Sequence, residues 1–336
     1  MAERGPRLGF VGTQRAKGLA RPQVSAFARE SAPRLRTELH DNNGDAMHQP
    51  TIENAMQVAV SAAQSAGVIL KDMLETISVR EKAPKDLVTD ADVAAQKCIE
   101  SQISAAFPRH QFLGEESSLT VVDRFAMSDE DWLWVVDPLD GTVNYVHGLP
   151  NFAVSIALMN GAKTVLGVVF DPMANELYTA TLGRGATMND RTLKSSGCLN
   201  LDKALVAASF PTQVQKDSVE VAQFVEVLVR SQSIRRLGSA ALNLCYVAQG
   251  RLDAYWAGML KVWDIAAGAL IATEAGAALS KQNGDSFDSW DGELLAASSE
   301  RLRRELSDCL QSVRATHSAQ IHSAQIHTSQ TEDHSK

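Results

Sequence analysis

The residues whose types and spacing best suit chemistry are Asp137-Pro138-Leu139-Asp140-Gly141-Thr142. The apolar run Trp134-Val135-Val136 reads as a buried strand that delivers the chain straight into two carboxylates separated by Pro138 and Leu139. Pro138 stiffens the backbone between them, and Gly141 permits an unusual dihedral or the close approach of an anionic ligand. Two carboxylates held at one point repel each other, and shared divalent cations offset that repulsion. Thr142 stands where it could cap a helix, so backbone N–H groups near Gly141 and Thr142 could face a phosphate at a helix start. Taken alone, the segment also fits an acidic turn with its side chains in solvent.

Other acidic stations change that balance. Asp92 stands where a helix could begin, either as a plain N-cap or beside the central pair. Glu115 and Glu116 follow a strand end at residues 111–113 and a bend at Gly114; being adjacent, one can face a cation while the other faces solvent. Asp264 opens a helix after Lys261-Val262-Trp263, as an N-cap or as a carboxylate brought beside Asp137 and Asp140. Arg235 and Arg236 either attract phosphate or make ordinary ion pairs.

The elements that must position these residues follow from periodicity. An Ala-rich segment from Thr51 to Leu74 carries an apolar helical face, and residues 81–92 read as a charged loop interrupted by Pro84. A helix follows from Asp92, closed by Phe107-Pro108-Arg109, and residues 117–131 read as a connecting loop over the site. Residues 132–136, 152–158, 164–170 and 176–180 read as strands, with Asn160-Gly161 making a hairpin. Further strands are expected at 205–208, 277–280 and within 286–297, and helices at 219–229, 238–245, from 264 onward and at 300–313. No G-x-G-x-x-G turn joins a strand to a helix, which excludes the Rossmann pattern and leaves large sheets covered by helices.

The 336 residues are 45% hydrophobic with a net charge of -8, enough for a sizeable core and unsuited to a broad nucleic-acid surface. No apolar stretch approaches membrane-spanning length. Cys98, Cys198, Cys245 and Cys309 are widely spaced, so neither a structural zinc site nor a disulfide framework is indicated. Residues 1–36 hold seven Arg and one Lys against Glu3 and Glu30, the bias of an organellar transit segment; a disordered basic leader is the alternative. The repeat His317-Ser318-Ala319-Gln320-Ile321, His322-Ser323-Ala324-Gln325-Ile326 reads as a low-complexity, disordered tail. The expected organisation is a basic leader over 1–50, a catalytic domain over 51–305, and a helix end with its tail over 306–336.

Four stations in order, Asp86-Leu87-Val88-Thr89 with Asp92, Gly114-Glu115-Glu116-Ser117, Trp134-Val135-Val136-Asp137-Pro138-Leu139-Asp140-Gly141-Thr142-Val143-Asn144, and Val262-Trp263-Asp264-Ile265-Ala266, resemble the inositol monophosphatase family. The resemblance implies an α+β fold of the sugar-phosphatase type, a five-layer alternating α-β-α-β-α sandwich. It also implies a homodimer that needs Mg²⁺ and is sensitive to Li⁺. By the same resemblance Glu115 and Asp137, with the Leu139 backbone carbonyl, look like ligands of a first metal; Asp137, Asp140 and Asp264 look like carboxylates around a second. Asp92 and Thr142 resemble the network that orients the attacking water, working with Glu115 as catalytic residues. Gly141, Thr142, Gly238, Ser239 and Ala240 match the phosphate- and substrate-facing segments.

The implied reaction is Mg²⁺-dependent hydrolysis of a small phosphorylated polyol by metal-activated water, with no nucleic-acid polymer and no membrane as partner. Inositol monophosphate leads as substrate; histidinol phosphate, another sugar or polyol phosphate, or a phosphonucleotide remain open, and a catalytically silent binding scaffold is the opposing class. After Tyr255-Trp256, where inositol phosphatases commonly place a hydroxyl-binding glutamate, this chain has Ala257, which accepts no hydrogen bond from a polyol.

The arginine-rich leader generates the first prediction. A fluorescently tagged full-length chain is expected to enter a plastid or mitochondrion, and removal of residues 1–36 to leave it in the cytoplasm. Microscopy showing the full-length chain diffuse in the cytoplasm contradicts this.

Overall fold

The computed structural model describes residues 51–76, 78–83, 86–117, 127–128 and 130–333, so the expectations for residues 1–50 and for most of the 117–131 loop lie outside the described residues. The chain runs α1 (Ile52–Met73), β1 (Val79–Ala83), β2 (Asp86–Thr89), α2 (Asp90–Ala106), β3 (Gln111–Gly114), β4 (Trp132–Asp140), α3 (Thr142–Val146), β5 (Ala153–Asn160), β6 (Lys163–Asp171) and β7 (Glu176–Thr181). It continues with β8 (Ala186–Met188), β9 (Arg191–Thr192), β10 (Leu205–Ser209), α4 (Val219–Arg230), β11 (Ser233–Arg235), α5 (Ala240–Gln249), β12 (Ala254–Ala257), α6 (Val262–Glu274), β13 (Ala278–Ser280), β14 (Leu294–Ala297) and α7 (Glu300–Asp333).

Two sheets organise these elements. The larger has the order β3-β4-β5-β6-β7-β8-β9, with β3 parallel to β4 and the remaining pairs antiparallel. The smaller has the order β11-β10-β12-β14-β13, in which β11, β10 and β12 run parallel and β14 antiparallel to its neighbours. Helices α1 and α2 cover one face of the larger sheet, α5 and α6 lie between the sheets, and α4 and α7 cover the outer face of the smaller one. This is the five-layer α-β-α-β-α sandwich expected of the resemblance.

Strand β4 shows why its sequence is apolar from Trp132 to Val136. Leu133 and Val135 face the layer between the sheets, while Trp134 and Val136 face α1 and α2. Both faces are buried, so the period-2 alternation of a half-exposed strand is replaced by a continuous hydrophobic run. Helix α1 packs close because its buried stripe is Ala55, Ala59, Ala62, Ala63 and Ala66, with Gly67 meeting the Phe170 ring.

Several local expectations need correction. Within the expected 81–92 loop, β1 (Val79–Ala83) and β2 (Asp86–Thr89) instead pair as antiparallel strands; charged side chains masked the strand signal because both belong to a small two-stranded sheet of their own. The β5–β6 hairpin turns at Gly161 and Ala162, one residue later than Asn160-Gly161, since Asn160 still pairs with Lys163. Helix α7 extends beyond residue 313 to Asp333, through a tail with no Gly or Pro to stop it.

Gly167 on β6 marks a close contact between the larger sheet and the middle helical layer, because a Cβ there would lie 2.7 Å from the Ala267 carbonyl oxygen of α6. Gly167→Ala is expected to destabilise the fold by about 1–3 kcal/mol, the usual cost of overpacking. Urea denaturation reads this; a midpoint equal to that of the parent contradicts it.

Candidate active site

The central pair owes its geometry to an irregularity in β4. Residues three apart on a regular strand point to opposite faces. Here Asp137 pairs with Ser155 and Asp140 with Ala153, so β4 carries one residue more than β5 across this interval. The bulge turns both carboxylates toward α5 and α6 and sends the Leu139 side chain to the opposite core. It also accommodates Pro138, which a regular central strand would reject. Asp137 is 2% and Asp140 8% exposed.

Each carboxylate is then fixed by local donors. Asp137 Oδ1 accepts the Leu139 N–H at 2.9 Å. Asp140 accepts from the Ala240 N–H at 3.2 Å, the Ala241 N–H at 2.7 Å and the Ser239 hydroxyl, so the first two N–H groups of α5 and its cap hydroxyl converge on this one side chain. The Ser239 hydroxyl also caps α5 by accepting from the Leu242 N–H. Gly238 has φ +91° and a Cβ there would lie 2.7 Å from Asn144 Nδ2, so only glycine lets the chain enter α5 at this angle. Asn144 donates to the Asn151 and Leu237 carbonyls at 2.7 Å each and ties α3 to that entry.

Asp264 lies two residues inside α6 rather than at its cap, and its Oδ2 accepts the Lys261 N–H at 2.7 Å. Asp92 is likewise not the N-cap of its helix. Thr89 caps α2, and Asp92, fully buried, answers it in a reciprocal capping box with Thr89 N–H donating at 2.8 Å. Thr142 is the first residue of the five-residue α3 rather than its cap, a place taken by Gly141 with φ +98°. The Thr142 hydroxyl lies 3.1 Å from the Leu139 carbonyl and 3.5 Å from Asp92 Oδ1. Glu115 follows β3 directly, its N–H donating to the Val136 carbonyl, and its carboxylate meets Lys82 Nζ at 3.0 Å. Lys82 also pairs with Glu116.

The fold therefore brings Glu115, Asp137, Asp140 and Asp264 within electrostatic reach from three separate stretches of chain, the end of β3, β4 and α6. Burial pushes Asp137 well above the usual carboxylate range, and the charges of Glu115, Asp140 and Asp264 push it further. Asp264 rises to about 8 through burial and the Asp140 charge, and Asp140 to about 6 through burial, which its α5 donors partly oppose. Asp92 rises to about 6, chiefly by burial against the pull of Thr89. The Glu115 and Glu116 carboxylates raise Lys82 despite its own desolvation.

Among the described residues no group of three or more His, Cys, Asp or Glu side chains is drawn tightly enough to grip a metal ion as it stands. The donor chemistry nonetheless fits a hard divalent cation: oxygen ligands only, mutually repelling, and desolvated. Lys82, Thr89 and Asn144 had no role assigned from sequence, although Thr89 and Asn144 stand within the quoted stations. Thr89-x-x-Asp92 carries a capping-box signal that could have shown Asp92 inside the helix; nothing local marks Lys82. Arg235 bonds Ser233 and the Ile234 carbonyl while Arg236 lies 5.6 Å over the Phe210 ring, so among the described residues neither makes an ion pair. Ala257 is without exposure in the core between the sheets, so its side chain offers no surface to a polyol.

These shifts set a pH dependence. Asp92, Asp140 and Asp264 would ionise near 3.8 in an unfolded chain but hold their protons to about 6, 6 and 8 in the fold. At these three groups the folded state therefore binds more protons in this window, so the stability they contribute is fully present below pH about 4 and is lost as pH rises toward about 8. In chelator, the thermal midpoint is expected to follow that slope and Asp264→Asn to flatten its upper part; a midpoint rising from pH 5 to 8 contradicts it.

Comparison with known proteins gives a consistent result. A model of the Inositol monophosphatase family matches residues 51–317. The chain is 41% identical over 241 residues to Inositol monophosphatase 2 of Solanum lycopersicum, covering 70% of this chain and 91% of that one. It is 41% identical over 235 residues to Nus factor SuhB of Pseudomonas aeruginosa, covering 68% and 86%. Among solved structures, extragenic suppressor protein suhB from Bartonella henselae superposes with a TM-score of 0.71 at 37% identity, covering 76% of this chain and 98% of that one. Inositol monophosphatase from Anabaena (Nostoc) gives 0.69 at 33%, covering 78% and 97%. The chain belongs to the inositol monophosphatase family, a family of phosphomonoesterases.

Proposed function

We propose that the chain hydrolyses phosphate monoesters with Mg²⁺ as its cofactor and an inositol monophosphate as its substrate. The observation that carries this is the convergence of Glu115, Asp137, Asp140 and Asp264, whose charges raise the Asp137 pKa together with burial. Such a set is stabilised by cationic charge. In this reading Glu115, Asp137 and the Leu139 carbonyl hold one ion, and Asp137, Asp140 and Asp264 a second. When bound, the ions supply Lewis-acid chemistry: they activate a water and neutralise charge on the phosphoryl and leaving oxygens.

The chain's own residues do the rest. Asp92, held by Thr89, accepts the Thr142 proton, which leaves the Thr142 oxygen free to receive a proton from the attacking water with Glu115 on its other side. Gly141 and Thr142 supply backbone N–H groups to the phosphate, and the Gly238-Ser239-Ala240 turn orients Asp140 through its donors. Sensitivity to Li⁺, a homodimeric assembly and the organellar location belong to the same reading. Among the described residues no helix is long and apolar enough to cross a membrane. Ala257, buried and apolar, favours a second substrate reading in which the ester is less hydroxylated, such as histidinol phosphate.

Phosphate release from inositol monophosphates, histidinol phosphate and nucleoside monophosphates, with and without Mg²⁺, tests the proposal. Failure of the folded protein on every ester would favour a silent scaffold. Asp140→Asn keeps the volume but removes the charge and one acceptor oxygen from the α5 donors. Its turnover at limiting Mg²⁺ is expected to fall on the order of 100-fold with the circular dichroism spectrum retained. Turnover equal to the parent's removes Asp140 from the site.

A further inference from the structure

Asn151, at the start of β5, is where two sides of the site are tied together. The Leu237 carbonyl, one residue before Gly238, accepts from Asn144 Nδ2 at 2.7 Å and from Asn151 Nδ2 at 3.1 Å. Two amides from another part of the chain thus occupy both lone pairs of this one oxygen. Asn151 makes further contacts of its own. Its backbone carbonyl accepts the Asn144 amide at 2.7 Å, and a Cβ at position 141 would lie 3.0 Å from that same oxygen, so the chain here presses on the Gly141 turn. The two asparagines belong to one closed loop, in which the Leu149 N–H donates to the Asn144 carbonyl and the Asn151 N–H to the Leu149 carbonyl, each at 2.8 Å.

The direction of these bonds fixes the Asn151 carboxamide. The Tyr246 hydroxyl of α5 donates to Asn151 Oδ1 at 3.1 Å, which leaves Nδ2 to face the Leu237 carbonyl. The reverse orientation would set Oδ1 and the Leu237 oxygen against each other.

What depends on this arrangement is Gly238. With φ +91° and no side chain, it is the freest joint between Leu237 and the start of α5. Beyond it Ser239 caps α5 and donates to Asp140, followed by the Ala240 and Ala241 N–H groups. Holding the Leu237 carbonyl restrains that joint, so the three donors arrive at Asp140 together. The same asparagines hold the Gly141 turn and α3, which carries Thr142. Asn151 itself makes no hydrogen bond to a site carboxylate among the described residues, so its influence on the site passes through these segments.

We propose that Asn151, oriented by Tyr246, is a positioning residue that sets the spacing between the Gly141–Thr142 turn and the α5 entry, and thereby fixes Asp140 in the orientation that receives a metal ion. This rests on the metal-dependent phosphatase reading above and extends it to two residues outside the carboxylate set.

The test uses the full chain and the variants Tyr246→Phe, Asn151→Ala, Asn151→Asp and Tyr246→Phe/Asn151→Ala. Two quantities are measured on each: the Mg²⁺ Kd by titration calorimetry without substrate, and the thermal midpoint in chelator. Asn151→Ala is expected to raise Kd about 10-fold, the lower end of the effect of losing an outer partner of a metal ligand. Tyr246→Phe, which removes one hydrogen bond and keeps the ring, is expected to raise it about 3-fold. Asn151→Asp should be no better than Asn151→Ala, because it keeps the acceptor for Tyr246 but loses the donor to Leu237. The double variant should match Asn151→Ala alone, since Tyr246 acts only through Asn151. A merely structural role would lower the midpoint in chelator and leave the Kd of the folded protein unchanged; that result, or losses that multiply in the double variant, overturns the proposal. If Asn151→Ala shows no cooperative unfolding, Tyr246→Phe and Asn151→Asp carry the same comparison. A folded parent that binds no Mg²⁺ defeats the metal-dependent reading itself, whereas a parent that binds it with a Kd equal to that of every variant defeats only this inference.

Discussion

Asp137 and Asp140 face the same side of β4 only because one extra residue is inserted there, and the rest of the site depends on that bulge. Without it Asp140 would point toward α1 and α2, into a core built from alanines and large apolar side chains. With it, two buried carboxylates meet, and the fold must manage like charges in a region with little solvent. It does so by directing fixed donors at each one: the Leu139 N–H at Asp137, and the Ala240 and Ala241 N–H groups of α5 at Asp140. Backbone N–H groups at a helix start have no partner within the helix, so their use here satisfies both sides of the contact.

The middle helical layer serves packing and chemistry at once. Helices α5 and α6 are nearly continuous in buried apolar residues, as helices covered by sheets on both faces must be. Their N-terminal turns are the exceptions. Ser239 and Asp264 sit there, where the apolar layer gives way to the carboxylates of β4. Close contact such as that between Gly167 and Ala267 holds α6 against the larger sheet, so packing distant from the carboxylates controls the distance between Asp264 and Asp140. Lys82 brings a positive charge to the same cluster from the β1–β2 hairpin, outside both large sheets. Its ion pairs with Glu115 and Glu116 partly neutralise the edge of the acidic group.

Reading caps from single residues was less secure than reading elements from periodicity. Asp92 and Asp264 both looked like N-caps because an acidic residue precedes an apolar-periodic run. Both lie inside the first turn, facing back toward the cap residue's N–H. The two arrangements place acid near the positive end of a helix and differ by only a few residues in register, which composition does not resolve. The small sheet of β1 and β2 differs from the sequence reading for a related reason: Pro84 and the neighbouring charges carry a loop signal in the sequence, and β1 and β2 have little apolar patterning.

The sequence by itself determined the elements and the chemical types: the apolar run ending in Asp137, the second carboxylate at Asp140, the Ala-rich α1, and the order of acidic stations that marks the family. Those are local properties, set by side-chain volume, polarity and spacing along the chain. Only the tertiary structure decided which carboxylates share a charge environment, that Asp140 is held by α5, that Lys82 reaches Glu115, and that the Tyr255 hydroxyl meets Ser209. These contacts join residues far apart in sequence, and they arise from a bulge, a strand register and a helix entry angle that have no counterpart in composition. The carboxylate pKa values follow the same division, since burial and neighbouring charge act through space.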